Sequence, residues 1–512
     1  MPTSDDRQPP ARFNAARYCL ADNARLRGDK TALIMVGENG PVGRLTYAQA
    51  DRAVRGIAAG LLGLGLKAGD RVMIRMGNET DYVLVYFGAL AAGLVALPSS
   101  PQLTADEAAF LMQNAGVAAV VTGAGLSDAG AGGPAGCIRL GSEAIAAMKA
   151  GEPLADYADT AADDPATLVY TSGTTSRPKG VLHAHRTIWG RRPMHAHWLG
   201  LTESDVMLHA GTMNWTYTLG VGITDPWACG ATTVLYNGPR DRGIWPRLIA
   251  EQGATIFAAV PSVYRQILKY ADLAEHDLSR LRHGVTAGEA LSSDLHEAWT
   301  RATGKPLYEA LGMSEISTYV SSGPTIPVRP GSPGRPQPGR RVAILPAEGP
   351  PEPLPAGETG LLAIHRTDPG LMLGYWRRPE EEAAVMRGEW FAGGDLARLD
   401  TDGYLWFQGR NDDLMNAMGY RVSPVEVESV LAGHPDIAEV GVTELAVRTD
   451  LRVIAAFVVL RPGAEPDADG LIAWCGDRLA AYKAPRAIRF LHALPRTANG
   501  KVQRKRLAET AA

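Results

Sequence analysis

The chain has 512 residues, enough for about two to four domains, and its 46% apolar and 21% charged residues are typical of a globular protein. Its 51 basic and 55 acidic residues give a formal net charge of −4, which is too balanced for binding nucleic acid through bulk charge. We therefore expect no nucleic-acid partner, and any polyanion must bind at a local site.

The cysteines and the N-terminus predict a cytoplasmic protein. The four cysteines are far apart and form no CxxC pair, which is typical of a reducing compartment. The first residues, MPTSDDRQPPARF, carry two acids and no apolar stretch of the kind that a signal peptide needs. The longest apolar run, Tyr82 to Leu97, is shorter than the roughly 20 residues that cross a bilayer. We predict a buried helix that leads into a strand, and no membrane span.

The N-terminal part alternates short β-rich runs with stretches of helical length. Strands are predicted at Arg71 to Ile74 and Val117 to Val121, and helices at Thr80 to Ala92 and Thr104 to Asn114. A second block of this kind extends from Thr167 to Tyr308. Its strand candidates are Leu168 to Thr171, Ala231 to Leu235 and Thr255 to Ala259. This alternation predicts an α/β fold whose mostly parallel sheets are covered by helices.

Proline and glycine become frequent between Gly323 and Gly360, which predicts short strands and turns of a small β unit. We place this unit in a large N-terminal domain, residues 1–409, together with the α/β subdomains. Residues 410–512 are predicted to form a small, mobile α+β C-terminal domain of a common size.

Three elements are predicted within the C-terminal domain. A helix from Ser423 to Leu431 has Ser423 as its cap and Pro424 at its first position. A strand from Val453 to Leu460 and a helix from Leu471 to Ala480 follow. Together these elements are enough for a compact domain.

The sharpest local motif is TSGTTSRPKG, Thr171 to Gly180, directly after an apolar strand candidate. Its five hydroxyl residues and two glycines let backbone N–H groups wrap a phosphate, and Lys179 adds positive charge. A Walker A sequence is absent, and the composition makes an ordinary surface turn a poor explanation. The predicted phosphate contacts are Thr171, Ser172, Gly173, Thr174, Thr175 and Lys179.

This segment resembles the phosphate-binding signature of the adenylate-forming superfamily, which includes acyl-CoA synthetases, luciferases and the adenylation domains of peptide synthetases. Six further motifs similar to those of the family follow in order. They are Gly288-Glu289-Ala290, Leu311-Gly312-Met313-Ser314-Glu315, Gly394-Asp395, Gly409-Arg410-Asn411-Asp412-Asp413, Gly419-Tyr420-Arg421 and Pro495 to Lys501. Their order and spacing over nearly the whole chain argue strongly against a chance match.

The resemblance implies a role for each motif. Glu315 would hold Mg²⁺, which prefers carboxylate and phosphate oxygens, and Asp395 would bind the ribose hydroxyls with Arg410 beside it. Lys501 would be the catalytic lysine of the C-terminal domain, and Asp412 would be the hinge. Thr171 and Lys179 would act in catalysis as well as in phosphate binding. The remaining cofactor-binding residues implied by the resemblance are Gly288, Glu289, Ala290, Glu309, Leu311, Gly312, Ser314, Gly419 and Arg421.

The segment from His209 to Tyr217 is most similar to the acetyl-CoA and medium-chain acyl-CoA synthetase branch of the family. The resemblance implies that Trp215, Thr216 and Tyr217 begin the wall of the carboxylate pocket. Gly312 falls where acetate-specific members carry a large aromatic residue, so acetate alone is disfavoured. Medium-chain, branched, alicyclic and aromatic acids all remain open.

The predicted function is that of an AMP-forming acyl-CoA ligase: ATP and a carboxylic acid give an acyl-adenylate and pyrophosphate, and the CoA thiol then displaces AMP. The implied cofactors and partners are ATP, Mg²⁺, CoA and a small-molecule carboxylate, with a second copy of the chain in a homodimer and an acetyltransferase that would silence Lys501. A stand-alone adenylation enzyme that loads a carrier protein is an alternative. A non-catalytic nucleotide-binding regulator is disfavoured because Lys501, Glu315 and Asp395 are all present.

Two histidine pairs, His183-x-His185 and His195-x-His197, could in principle bind a metal ion. No third ligand lies at a recognisable spacing. We interpret these histidines as packing or substrate-side residues.

Overall fold

A computed structural model describes residues 8–123, 125–126, 132–171, 178–239, 241, 243–411, 415–417, 420–448, 451–479, 483–496 and 502–509. The chain divides into two compact units. The described residues of Met1–Arg341 and Arg366–Ala384 form the first, and those of Val342–His365 and Val385–Ala512 form the second. The predicted domain boundary between residues 409 and 410 stays a prediction.

The described residues of the two units contain 26 strands, which alternate with helices through most of the first unit. The strands are, in chain order, β1 Thr31–Gly37, β2 Gly40–Thr46, β3 Arg71–Arg75, β4 Val95–Ser99, β5 Val117–Thr122, β6 Ile138–Leu140, β7 Pro165–Thr171, β8 Lys179–Ala184, β9 Val206–His209, β10 Thr232–Tyr236, β11 Ile256–Ala258, β12 His283–Ala287, β13 Leu307–Met313, β14 Ser317–Ser321, β15 Arg335–Pro336, β16 Val342–Leu345, β17 Gly360–His365, β18 Gly374–Tyr375, β19 Met386–Arg387, β20 Trp390–Leu399, β21 Leu405–Arg410, β22 Met415–Ala417, β23 Tyr420–Val422, β24 Ile437–Arg448, β25 Leu451–Leu460 and β26 Ala487–Phe490.

The helices mostly follow the strands that they cover. They are, in chain order, α1 Ala15–Arg27, α2 Tyr47–Gly63, α3 Thr80–Ala91, α4 Ala105–Ala115, α5 Ser142–Ala150, α6 Arg186–Trp189, α7 Arg192–His197, α8 Asp225–Cys229, α9 Ile244–Gln252, α10 Pro261–Tyr270, α11 Ser293–Thr303, α12 Pro379–Val385, α13 Pro424–Ala432, α14 Ala468–Gly476 and α15 Arg504–Glu509. A π-helical segment, Thr218–Thr224, leads into α8, and a short 3₁₀ turn spans Leu273–Glu275.

Two largely parallel sheets form the first unit, as the alternating sequence pattern predicts. One has the order β15-β14-β13-β12-β11-β9-β10-β1-β2, and the strands from β13 to β1 are parallel. The other has the order β18-β8-β7-β4-β3-β5-β6, and the strands from β7 to β6 are parallel. The carboxyl ends of parallel strands lie at one edge of a sheet, where α/β proteins place their ligands.

The apolar run near residue 90 is helix α3 followed by strand β4, as predicted. Every residue of α3 from Tyr82 to Ala91 is buried, and so are all residues of β4. Such a helix is apolar all round because it lies inside the protein. The fold class predicted from the sequence is thus confirmed for this unit.

The second unit is built from antiparallel and mixed sheets. Strands β16, β17, β20 and β19 form one sheet, with β21 added to β20. Strand β16 lies within the proline- and glycine-rich region that predicts short strands, and β17 begins at the end of that region. Strands β24, β25 and β26 form another sheet, covered by α13 and α14 through an apolar cluster. The C-terminal part is therefore α+β, as expected.

Two details of the C-terminal helices differ from the prediction. Ser423 stands at the N-cap of α13, but its hydroxyl donates to the carbonyl of Gln408 and makes no capping bond. Helix α14 begins three residues before its predicted start and ends at Gly476, four residues before its predicted end. Its start is fixed by Asp467, whose side chain accepts from the N–H of Gly470.

None of the helices in the described part of the chain combines the length and the apolar character that crossing a bilayer requires.

Candidate active site

The predicted phosphate loop connects two paired strands. Thr171 is the last residue of β7, Lys179 is the first of β8, and the two face each other in the antiparallel register. Both ends of the loop are thereby fixed by a sheet. The predicted contacts Ser172, Gly173, Thr174 and Thr175 lie outside the described residues.

The candidate metal ligand Glu315 is held in place by a tyrosine from a distant segment. The hydroxyl of Tyr375 donates to Oε1 of Glu315 at 2.7 Å, and the N–H of Met372 donates to the carbonyl of Glu315 at 2.8 Å. Tyr375 is in turn paired with Val181 of β8. The sheet that carries the phosphate loop therefore also fixes the orientation of this carboxylate.

Lys179 lies over the ring of the same tyrosine, Tyr375. Its Nζ is 5.0 Å from the centre of the Tyr375 ring and 2.7 Å from Oε2 of Glu381. Burial raises the pKa of Glu381, but hydrogen bonds from Lys179 and Arg378 outweigh that effect and keep the pKa below its ordinary value. Glu381 thus neutralises the lysine that we expect to meet a phosphate.

The predicted adenine turn begins directly after β12. Gly288 has a φ of +93°, a conformation that favours glycine, and a Cβ there would lie 2.9 Å from the ring of Trp215. Glu289 accepts a hydrogen bond from Arg265 at 3.2 Å, and Ala290 is exposed. The structure therefore brings Trp215 and the turn together.

The carboxyl group of the half-buried Glu309 connects that turn to β13. Oε1 of Glu309 accepts from the N–H of Leu291 at 2.9 Å. Burial raises the pKa of Glu309 to about 7, and the bond from Leu291 opposes the rise only in part. The folded protein therefore binds a proton at Glu309 more tightly than the unfolded chain does.

This shift predicts a pH-dependent stability. The free energy of unfolding should fall as pH rises from 4.5 through 7, because the folded state then loses a proton that it binds tightly. In Glu309→Gln, urea unfolding at pH 5 and pH 8 should show a smaller fall than in the wild type, by roughly 1–2 kcal/mol. Glu297→Gln, at an exposed position, is the control and should follow the wild type. Equal falls in all three proteins would contradict the assignment.

Strand β13 and the turn directly after it carry the other residues predicted to contact the nucleotide. Leu311 and Ser314 are half-buried, and Gly312 is exposed. A Cβ at Gly312 would lie 2.7 Å from the carbonyl carbon of Ser317 and from Cα of Thr318. Glycine is needed here because strand β14 approaches closely. The role of Gly312 in leaving the acyl pocket open stays a prediction, and the approach of β14 is a second reason for glycine at this position.

Any side chain at residue 312 must displace the backbone next to Glu315. We expect Gly312→Ala to lower kcat/KM by a similar factor, about tenfold or more, for every acid tested. The measurement is pyrophosphate release with a short and a long acid, with thermal unfolding as the control for folding. A loss limited to long acids would restore the pocket-plug interpretation.

A cavity of about 70 Å³ adjoins these residues within the first unit. Its apolar side includes Tyr86, Val169, Ile188 and Leu219, and its polar side includes Thr216, Ser314, His183 and Arg191. Ser314 precedes Glu315, so one end of the cavity borders the candidate active site. Burial lowers the pKa of His183 to about 4, which leaves its ring neutral at neutral pH.

Of the four residues predicted to form the acyl pocket, Thr216 lines this cavity, whereas Trp215, Tyr217 and Gly312 do not. Tyr217 is buried, and its ring stacks on Trp198 with centroids 6.1 Å apart. Trp215 contacts Tyr217 edge-on. Trp215 therefore contacts Tyr217 and approaches the turn at Gly288.

The histidine pairs serve packing and cavity lining. His185 accepts from the N–H of Ala15, and His197 pairs with the hydroxyl of Thr325. His195 bonds to a buried aspartate, and His183 lines the cavity. In the described part of the chain, no group of three or more His, Cys, Asp and Glu side chains could hold a metal ion.

In the second unit, Asp395 and Arg410 lie opposite each other on β20 and β21. Nη1 of Arg410 is 3.3 Å from Oδ1 of the buried Asp395. The pair that we expect at the ribose is therefore formed by a sheet. Asp412, Gly419 and Lys501 lie outside the described residues, as does the side chain of Arg421.

Sequence reasoning missed Tyr375, Glu381 and Arg191. Tyr375 is 60 residues from Glu315 in the chain, and only the pairing of β18 with β8 brings it near. A Gly-Tyr-Trp run before a cluster of glutamates was the available signal. Arg191 gave no local signal, because its partner Asp225 is 34 residues away.

Known proteins of similar sequence match along the whole chain. Residues 20–376 match the family model described as AMP-binding enzyme, and residues 426–501 match the AMP-binding enzyme C-terminal domain. An uncharacterized acyl-CoA ligase of Bacillus subtilis (strain 168) is 31% identical, over 94% of this chain and 93% of the relative. The benzoate–CoA ligase of Thauera aromatica is 32% identical, over 97% of this chain and 96% of the relative.

The solved structure of the anthranilate CoA ligase AuaEII in complex with anthranoyl-AMP has a TM-score of 0.89 to this fold. The match covers 100% of this chain and 99% of that chain at 31% identity. Ligases of this type use ATP, Mg²⁺ and CoA. Together with the phosphate loop, the Glu315 carboxylate and the order of the motifs, these matches show that the chain belongs to the AMP-binding enzyme family and is an AMP-forming carboxylic acid–CoA ligase.

Proposed function

We propose that this ligase activates a monocarboxylic acid whose uncharged, apolar end enters the cavity beside Ser314 and Thr216. The charge of the cavity carries this proposal. The neutral His183 adds no charge, and Arg191 is neutralised by Asp225 through two bonds of 2.7 Å. A second carboxylate in that space would be desolvated without a free counter-charge, which costs several kcal/mol.

The size of the cavity favours the end of an alkyl chain. Its volume of about 70 Å³ is below the roughly 150 Å³ of an engineered cavity that binds benzene. Aromatic acids are a second candidate class, because the names of two relatives specify benzoate and anthranilate. An aromatic ring would require the cavity to widen, whereas a few methylene groups would not.

We propose that Thr171, Lys179 and the residues between them bind the phosphates of ATP. Lys179 would leave Glu381 for a phosphate, because both anions compete for one ammonium group. Gly288, Glu289, Ala290 and Leu311 would contact the adenine, and Asp395 would accept hydrogen bonds from the ribose. These assignments follow from the resemblance.

The donor set at Glu315 fits Mg²⁺. One half-buried carboxylate beside a phosphate loop suits an ion that is usually held by one or two carboxylates and by substrate phosphates. When bound, the ion would neutralise charge on the phosphates. Tyr375 would keep the carboxylate of Glu315 turned towards the loop. Lys501 would bind the carboxylate of the acid substrate and stabilise the negative charge that develops as this carboxylate attacks ATP.

The charge argument is tested with two acids of equal carbon number, hexanoate and adipate. We expect kcat/KM for pyrophosphate release to be about 100-fold higher with hexanoate, because adipate would bury a second charge. Equal values for the two acids would contradict the neutral cavity as the acyl site.

A filled cavity provides the second test. Thr216→Phe should lower kcat/KM for the best acid about tenfold or more while sparing propionate, because overpacking cannot be relieved in a close-packed interior. Thr212→Phe, at an exposed position outside the cavity, is the matched control. An equal loss with all acids in Thr216→Phe would place the acyl group elsewhere.

Some finer expectations stay proposals. The four cysteines form no disulfide bond with one another, which fits a reducing, cytoplasmic compartment. A hinge at Asp412, a mobile C-terminal domain, a homodimer and acetylation of Lys501 follow from the resemblance alone. Half-reaction kinetics, light scattering and mass spectrometry would test them in turn.

A further inference from the structure

A second polar cluster lies in the first unit around Asp225. Sγ of Cys229 is 3.4 Å from Nδ1 of His195, and Nε2 of His195 is 3.0 Å from Oδ1 of Asp225. Asp225 is fully buried, whereas Cys229, the last residue of α8, is half-buried. The cluster thus aligns a thiol, an imidazole and a carboxylate, with the thiol nearest to solvent.

The cluster continues to the candidate active site. Two nitrogens of the Arg191 guanidinium, Nε and Nη2, donate to the carboxylate of Asp225 at 2.7 Å each. The third nitrogen, Nη1, donates to the hydroxyl of Ser317. Ser317 has a φ of +74°, which is uncommon for a residue with a side chain. It follows Glu315 by two residues, and both Arg191 and Ser317 line the cavity.

The surroundings of Cys229 favour reaction at its sulfur, because an imidazole nitrogen lies within reach of the thiol and a carboxylate orients that imidazole. Burial lowers the pKa of His195, but the interactions with Cys229 and Asp225 outweigh burial and raise the pKa to about 10. With His195 protonated, the sulfur of Cys229 lies against a cation, an environment typical of reactive cysteines.

We propose that Cys229 is a site of reversible modification by small-molecule disulfides, and that its modification alters acid activation through His195, Asp225, Arg191 and Ser317. Sγ of Cys229 attacks one sulfur of the disulfide as the S–S bond of the reagent breaks. The leaving thiolate takes up the proton that the Cys229 thiol gave up. A mixed disulfide and one free thiol result, and a second thiol reverses the reaction.

The effect on activity rests on the proposed function of the cavity. A group attached to Sγ removes the thiol that bonds to Nδ1 of His195 and occupies the space beside the imidazole. His195 and Asp225 must then rearrange, and the bonds of Arg191 to Asp225 and Ser317 change with them. The modification itself does not depend on what the cavity binds, so the two parts are tested separately.

The first test measures modification alone. The full chain is treated with glutathione disulfide, and the labelled peptides are quantified by mass spectrometry over time. We expect Cys229 to react about tenfold faster than Cys137, which is also half-buried but whose thiol is bonded to the carbonyl of Ile138. Cys19 and Cys475 are buried and should stay unlabelled. Equal rates at Cys229 and Cys137 would overturn the proposal.

His195→Gln tests the source of the reactivity. Glutamine can still bond to Asp225 but cannot become a cation, so labelling of Cys229 should fall to the rate of Cys137. Urea unfolding identifies a variant that does not fold, and in that event the wild-type rates decide the outcome. Undiminished labelling in a folded His195→Gln would overturn the role of the imidazole.

The second test measures whether modification of Cys229 changes acid activation. Pyrophosphate release by the wild type should fall several-fold after labelling and recover with dithiothreitol. Cys229→Ser should keep its basal activity and resist the reagent, and Cys137→Ser should behave as the wild type does. Full activity with Cys229 completely labelled would overturn the proposed effect of the modification on acid activation. An unlabelled enzyme that activates no acid would instead refute the proposed function.

Discussion

Replacing Glu315 with alanine should lower kcat/KM for pyrophosphate release by about 10²–10³, because the transition state loses the carboxylate that fits Mg²⁺ beside the phosphate loop. The fold should persist, since the carbonyl of Glu315 still accepts from Met372. Steady-state kinetics with saturating acid and varied ATP and Mg²⁺ would measure the loss. Glu380→Ala, at an exposed position on α12, is the matched control and should leave the rate unchanged.

Tyr375→Phe tests how much the positioning of Glu315 contributes, because it leaves the charge of the Glu315 carboxylate in place. It removes the hydroxyl that donates to Glu315 but keeps the ring below Lys179. We expect a smaller loss, about tenfold, and a higher Mg²⁺ concentration for half-maximal rate. A loss in Glu315→Ala no larger than that in Tyr375→Phe would argue against Glu315 as the metal ligand.

Replacing Lys501 with alanine should abolish formation of the acyl-adenylate while leaving thioester formation from supplied acyl-adenylate nearly intact. We expect the lysine to neutralise charge only while the carboxylate attacks the α-phosphate of ATP, because the second half-reaction uses the thiol of CoA. Single-turnover assays that start from acid plus ATP or from acyl-adenylate plus CoA would separate the two steps.

Lys505→Ala is the control for a nonspecific effect of the basic C-terminal segment, because residues 501–506 include other basic side chains. It should retain both half-reactions. If Lys501→Ala lost both half-reactions equally, the lysine would serve the fold or both steps, and the proposed division of labour would be wrong.

Those parts of the fold with strong local patterns could be predicted from the sequence. Strand β3 has a short β-rich run, which is typical of a buried strand. Helix α3 has a continuous apolar run of helical length, which is typical of a buried helix. The hydroxyl-rich loop after β7 indicated phosphate binding because small polar residues and glycine admit close backbone contacts. Helix α14 was misplaced because its alanines and glycines give weak end signals, and Asp467 sets its start.

Contacts between distant segments could not be predicted. The bond between Tyr375 and Glu315 depends on the pairing of β18 with β8, which has no sequence motif. The need for glycine at residue 312 depends on the approach of β14. Thr216, one of the pocket residues implied by the resemblance, lines the cavity, but the pairing of Arg191 with Asp225 that neutralises the cavity joins residues far apart in the chain.

Product analysis over a panel of acids tests the central claim most directly. The full chain would be incubated with ATP, Mg²⁺ and hexanoate, with and without CoA, and the products separated by mass spectrometry. We predict pyrophosphate and acyl-adenylate without CoA, and AMP with the acyl-CoA thioester when CoA is added. Formation of ADP and phosphate, or the absence of a CoA thioester with every monocarboxylic acid, would contradict the account.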